Sequence, residues 1–145
     1  MEIPLLNLKL QYAQIKNEVK SAIDEVLESQ QFIFGPKVEA FEREIAELVN
    51  AEYAIGVSSG TDALLLSLMG LGIGNGDLVI TSPFTFFSTA SSISRVGALP
   101  LFVDIDPRTF MLSPDKVEET ISSLSTEQRK KLKALMPVHL YGQCA

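Results

Sequence analysis

The chain has one cysteine, one histidine and no tryptophan in 145 residues. A lone cysteine closes no disulfide within the chain, and one Cys with one His builds no Cys/His zinc cluster. No metal site is expected, and a reducing, cytoplasmic setting is. Basic residues are the minority charge, with 12 Lys and Arg against 18 Asp and Glu and a net charge of −6. A nucleic-acid binder needs a cationic footprint to displace phosphate counterions, so no nucleic-acid partner is expected. No stretch approaches the ~20 uninterrupted apolar residues that cross a bilayer. The opening MEIPLLNLKLQYAQIKNEVK carries acids and amides where a signal peptide needs a basic start and an apolar run. No membrane partner is expected. Repeats, linkers and low-complexity tracts are also missing.

What remains is enough for a core. Hydrophobic residues make up 46% and charged residues 21%, and the length suits about one ordinary domain. Ile15, Val19, Ala22, Ile23, Val26 and Leu27 recur at spacings of three and four, which predicts a helix beginning after Gln14. Phe32-Ile33-Phe34-Gly35-Pro36 follows as an apolar connection, expected to plug the core or a subunit contact, with a substrate-facing loop as the alternative. Pro36 opens a second helix whose apolar stripe is Val38, Phe41, Ile45, Leu48 and Val49. The period then changes. Tyr53–Val57, Leu78–Thr81, Pro100–Val103 and Ala134–Val138 read as buried strands. Between them lie helical lengths at Thr61–Leu71, Phe86–Val96 and Asp115–Ser123, with a polar, partly helical lead at Thr126–Lys133. Alternating helices and apolar strands predict an α/β domain with a parallel sheet covered on both faces.

Chemistry concentrates at two strand ends. In Val57-Ser58-Ser59-Gly60-Thr61-Asp62-Ala63-Leu64 a strand gives way to a small polar turn and then a helix. Unpaired N–H groups and the positive end of the macrodipole attract a phosphate there. Gly60 admits close approach and Thr61 adds a hydroxyl. An ordinary capped helix has the same residues, and both readings stay open. Gly70-Leu71-Gly72-Ile73-Gly74-Asn75-Gly76 resembles a dinucleotide loop but follows a helix and precedes a strand, so it reads as a helix-ending turn. Thr81-Ser82-Pro83-Phe84-Thr85-Phe86-Phe87-Ser88-Thr89 offers a ring face to a planar ligand; a core position is the stronger reading for any single ring, but not for all three beside these hydroxyls. Asp104 and Asp106 before Pro107 are expected to build a turn rather than an acid–base pair. His139 lacks a Ser or Cys partner motif and is expected to be structural.

Taken together, FIFGPKVEAFEREIA, SSGTDALLLSL, SPFTFFSTA, VDIDPRTF and PVHLYGQCA resemble the DegT/StrS type (DegT/DnrJ) of sugar nucleotide aminotransferases over nearly the whole chain. The resemblance implies a pyridoxal 5'-phosphate (PLP) enzyme of fold type I, similar to those that aminate 3-keto nucleotide sugars for surface polysaccharides, lipopolysaccharide among them. On this resemblance Gly60, Thr61 and Asp62 match the phosphate-binding turn, Thr61 through its hydroxyl and Asp62 mainly through its backbone N–H. Phe86 matches the aromatic that stacks on the pyridine ring. The FIFGP loop matches a segment near the active site or dimer interface.

Two further groups are implied: a lysine that forms the internal Schiff base and shuttles a proton, and an acid that keeps the pyridine nitrogen protonated. In relatives both lie beyond the last residue of this sequence. Lys9, Lys16, Lys20, Lys37, Lys116, Lys130, Lys131 and Lys133 sit in no such motif, so no catalytic residue is assigned. The expectation is therefore an N-terminal portion, inactive alone. Residues 1–36 would form an N-terminal helix and active-site or interface loop. Residues 37–145 would form the first part of an incomplete PLP-binding large domain, a three-layer α/β/α structure on a mostly parallel sheet. The whole enzyme would be a homodimer moving an amino group from an amino-acid donor, glutamate by expectation, to a nucleotide-linked keto sugar. Alternatives are a PLP-dependent sugar dehydratase of the same family, or a non-catalytic module of regulatory role that binds phosphate or a nucleotide sugar.

Overall fold

The computed structural model describes residues 4–145. Met1, Glu2 and Ile3, the start of the segment read for a leader sequence, lie outside the described residues. The chain divides into two compact units, Met1–Gly56 and Val57–Ala145.

The first unit carries α1 (Leu8–Ser29) and α2 (Pro36–Leu48). The first helix starts two turns earlier than the apolar stripe predicts. Asn7 caps it, its side chain accepting the Leu10 N–H at 3.1 Å, and a cap with good helix formers behind it needs no apolar face. Gln30 ends α1 with φ 56°, its N–H donating to the Val26 carbonyl at 3.0 Å. Pro36 occupies the first turn of α2 as predicted. The expected core plug is not one: Phe32, Ile33 and Phe34 are all exposed. Gly35 beside them is sterically required, because a Cβ there would stand 2.5 Å from the Gln31 carbonyl oxygen. The strand expected at Tyr53–Val57 is also absent. That segment joins no ladder, and Ile55 is 81% exposed. An apolar run becomes a strand only when a neighbouring strand takes its N–H and C=O groups.

The second unit is α/β. It runs α3 (Gly60–Gly70), β1 (Leu78–Thr81), α4 (Phe87–Arg95), β2 (Leu99–Phe102), α5 (Pro114–Ser123), α6 (Thr126–Lys131), β3 (Leu132–Met136) and a 3₁₀ turn at Leu140–Gly142. The three strands form one parallel sheet in the order β2-β1-β3. The last strand starts two residues before its predicted beginning and stops ahead of Pro137, which has no N–H to give a ladder. Leu68, Ile73, Val79, Ile93 and Ala98 form the core, with Val96, Ala134 and Met136 packed against it. Val79 and Ile80 point to opposite faces by strand alternation, yet both are fully buried. Both faces of β1 are therefore covered.

The glycine-rich segment ends a helix, as its position in the sequence suggests. Gly72 takes φ +68° and the Ile73 N–H closes back on the Leu68 carbonyl at 3.0 Å, the closure of a Schellman turn. That closure also delivers Ile73 to the core. Gly97, between α4 and β2, has φ +84°, and a Cβ on it would lie 3.2 Å from the Asn75 Cα.

Candidate functional site

The helices α3 and α4 pack against one another. Five residues separate the end of β1 from the second of these helices, so its start lies at the carboxyl edge of the sheet. From its second turn Ser92 donates its hydroxyl to the Thr61 carbonyl at 3.4 Å. This contact sets the Gly60–Asp62 turn against the second turn of α4. The chain runs from β1 to β2 on one side, while β3 lies on the other. Open α/β sheets place ligands outside the strand carboxyl ends at such a change of direction.

Within the α3 turn, Ser59 is the cap. Its hydroxyl oxygen accepts the Asp62 N–H at 3.1 Å and the Ala63 N–H donates to its carbonyl at 2.9 Å. The Asp62 carboxylate accepts from the hydroxyls of Ser58 and Ser59. Those two bonds, the Ser58 bond foremost, together with the charge of Arg95, hold the carboxyl below its ordinary range. The Asp62 N–H is thus committed to Ser59. The N–H groups of Gly60 and Thr61 make no hydrogen bond among the described residues, as expected of the first positions of a helix. Apart from its chain neighbours and its own helix backbone, nothing lies within 4 Å of where a Gly60 Cβ would be.

Phe86 caps α4 with extended backbone (φ −74°, ψ 148°) and its ring is 75% exposed. Phe87 is 80% exposed and Phe84 43%, so none of the three aromatics belongs to the core. Below Phe86 the buried Thr89 ties the segment down. Its hydroxyl pairs with that of Thr85 at 2.8 Å and its N–H donates to the Phe86 carbonyl at 3.1 Å. An uncommitted pair of N–H donors, a hydroxyl, the positive end of a helix and an exposed ring suit a phosphorylated heteroaromatic group.

The remaining candidates are structural. Asp106 builds an Asx turn, accepting the N–H groups of Arg108 at 2.7 Å and Thr109 at 3.2 Å. Asp104 pairs with Lys116 at 3.1 Å. Both carboxyls lie below the usual range, Asp104 chiefly through the Lys116 hydrogen bond and Asp106 chiefly through the Arg108 N–H. His139 accepts the Ala145 N–H on Nδ1 at 2.9 Å. A cavity of about 310 Å³ includes Phe84 and Phe110, with rings 6.2 Å apart, but neither Thr61 nor Phe86. Among the described residues no helix is long and apolar enough to cross a membrane.

Sequence reading did not find Ser92, whose contact links helices 31 residues apart. The role of Ser59 was more accessible, since Ser59-x-x-Asp62 ahead of Ala63-Leu64-Leu65 is a capping signature.

Comparison with known proteins gives a consistent picture. A "Pleiotropic regulatory protein" of Geobacillus stearothermophilus is 47% identical over 100% of this chain and 37% of its own length. The UDP-2-acetamido-2-deoxy-3-oxo-D-glucuronate aminotransferase of Pseudomonas aeruginosa is 44% identical over 99% of this chain and 38% of its own. The crystal structure of DesV from S. venezuelae, in complex with a ketimine intermediate, superposes with a TM-score of 0.88 at 39% identity, covering 99% of this chain and 37% of that one. The chain thus spans well under half the length of these relatives. The model of the DegT/DnrJ/EryC1/StrS aminotransferase family matches residues 13–145. With this match over nearly its whole length, the chain belongs to the DegT/DnrJ/EryC1/StrS aminotransferase family.

Proposed function

We propose that the chain supplies the cofactor-anchoring part of a PLP-dependent aminotransferase that acts on a nucleotide-linked keto sugar. What supports this reading is the Ser92–Thr61 contact between α3 and α4, together with the unpaired N–H groups that open α3 and the exposed Phe86 that opens α4. In this reading the N–H groups of Gly60 and Thr61 and the Thr61 hydroxyl hold the phosphate, aided by the macrodipole. Asp62, through Ser58 and Ser59, keeps the turn in shape. Phe86 covers the heteroaromatic ring and excludes water from one side of it. The cofactor supplies an electron sink for amino transfer.

The donor we assign is an amino acid, glutamate by expectation, and the product an amino sugar for surface polysaccharide, lipopolysaccharide included. Residues 1–36 are assigned to the helix and interface loop, and residues 37–145 to the cofactor-binding domain. The exposed Phe32, Ile33 and Phe34 offer apolar surface for a homodimer contact. The one cysteine is exposed and free, in keeping with a reducing, cytoplasmic setting.

The test is PLP titration of the full-length protein. The expected result is a near-visible absorption band that borohydride fixes onto a lysine, with Thr61→Ala weakening PLP binding about tenfold. The exposed ring makes Phe86→Leu a matching probe, expected to weaken binding about fivefold and leave stability within ~0.5 kcal/mol. Failure of the intact protein to bind PLP would overturn the reading in favour of a non-catalytic regulatory module, the alternative that the name of the Geobacillus relative favours. A dehydrated rather than aminated sugar product would point to the dehydratase.

A further inference from the structure

We infer that Ser92 is a positioning residue that registers the phosphate turn against the ring platform. This inference rests on the PLP reading above and goes further, because it assigns a role to a residue with no ligand contact of its own. Ser92 is fully buried, and its hydroxyl donates out of α4 to the Thr61 carbonyl rather than back into its own helix. By contrast, the hydroxyl of the neighbouring Ser91 donates to the Ser88 carbonyl within α4.

Thr89 lies three residues before Ser92, on the same face of the helix. It is also buried, and it holds Thr85 and the Phe86 carbonyl. One face of α4 therefore grips the platform through Thr89 and the turn through Ser92. A buried hydroxyl costs free energy unless it is bonded, so its presence at this helix contact calls for a partner, and Thr61 is that partner. The bond is long for O–H···O, so its effect is modest in size but specific in kind.

The kind of effect follows from geometry. A ligand that carries both a ring and a phosphate engages platform and turn at once, and it loses affinity when their spacing relaxes. A ligand with the ring alone is indifferent to that spacing. Removing the Ser92 hydroxyl should thus discriminate between PLP and pyridoxal, its dephosphorylated form. A general loss of packing would weaken both alike.

The experiment measures equilibrium affinities of the full-length protein for PLP and for pyridoxal, in the unaltered form and in Ser92→Ala, Ser92→Cys and Ser91→Ala. Ser92→Ala is expected to weaken PLP about 3- to 10-fold, the range of one neutral hydrogen bond, with pyridoxal unchanged. Ser92→Cys keeps a weak donor and is expected to recover part of the loss. Ser91→Ala is expected to change neither ligand. Equal weakening of PLP and pyridoxal in Ser92→Ala overturns the inference, as does unchanged PLP affinity. Should Ser92→Ala not fold, unaltered PLP selectivity in Ser92→Cys overturns it in the same way. If the unaltered protein binds pyridoxal but gains nothing from the phosphate, the turn assignment falls and the inference with it. If it binds neither, the PLP reading itself is what fails.

Discussion

The hydroxyl of Thr81 donates to the carbonyl oxygen of Met136 at 2.9 Å, joining the last residues of β1 and β3 across 55 positions of sequence. The side chain is completely buried. This bond closes the carboxyl edge of the sheet, from which the loop to Phe86 departs.

Replacing Thr81 by Val keeps the shape and removes the donor. The partly buried Met136 carbonyl then loses that partner, and the expected cost is about 1 kcal/mol of stability. Urea unfolding of Thr81→Val against the parent protein reads this directly. A midpoint unchanged within error would show that the bond contributes nothing.

Asp62 gives a pH signature with a definite sign. Its folded pKa lies below the ordinary carboxyl value because the hydroxyls of Ser58 and Ser59 donate to its charged form. A depressed carboxyl pKa contributes stability that is present above the unfolded value and is lost as pH falls through the folded one. Asp62→Asn should therefore lower the melting temperature near neutral pH, and the gap to the parent should narrow as pH drops below about 4. A gap of constant size down to strongly acid pH would contradict this assignment.

Gly97→Ala tests the turn between α4 and β2. An L-residue held at the φ of +84° found here pays about 1–2 kcal/mol. The added methyl also meets the Asn75 Cα at 3.2 Å. A melting point lowered by several degrees is expected. Gly70→Ala, where no atom stands within 4 Å of the new Cβ and φ is helical, should instead be neutral or stabilising.

Much of the second unit could be read from local patterns. The capped helix at Ser113-Pro114 and the turn at Asp106-Pro107 depend on bonds that close within a few residues, and the strands at Leu78–Thr81 and around Leu101 show in the sequence as short apolar runs, although their ladder bonds reach distant strands. The failures share a cause. Tyr53–Val57 has the apolar, β-branched composition of a strand, but pairing depends on a partner that composition cannot name. Phe32–Phe34 has the hydrophobicity of a core, but burial depends on what packs against it, and among the described residues nothing covers it, which leaves the subunit contact or the substrate-facing loop. The early start of α1 was missed because an Asn cap sets a helix boundary where no apolar stripe reaches.

At the candidate site the division is just as clear. Gly60 and Thr61 leave their N–H groups unpaired because the first positions of any helix have no carbonyl one turn earlier. Chain order alone therefore determines that donor pair, and the same holds for the Ser59 cap three residues from Asp62. Composition likewise determines the acidic balance and the lack of a disulfide. Tertiary structure decided that Phe86 stays in the open while Thr89 and Ser92 go under, and that Ser92 meets Thr61. Those outcomes depend on which face of α4 docks against α3, and that is set by the joint packing of Leu68, Val79 and Ile93 from three separate elements.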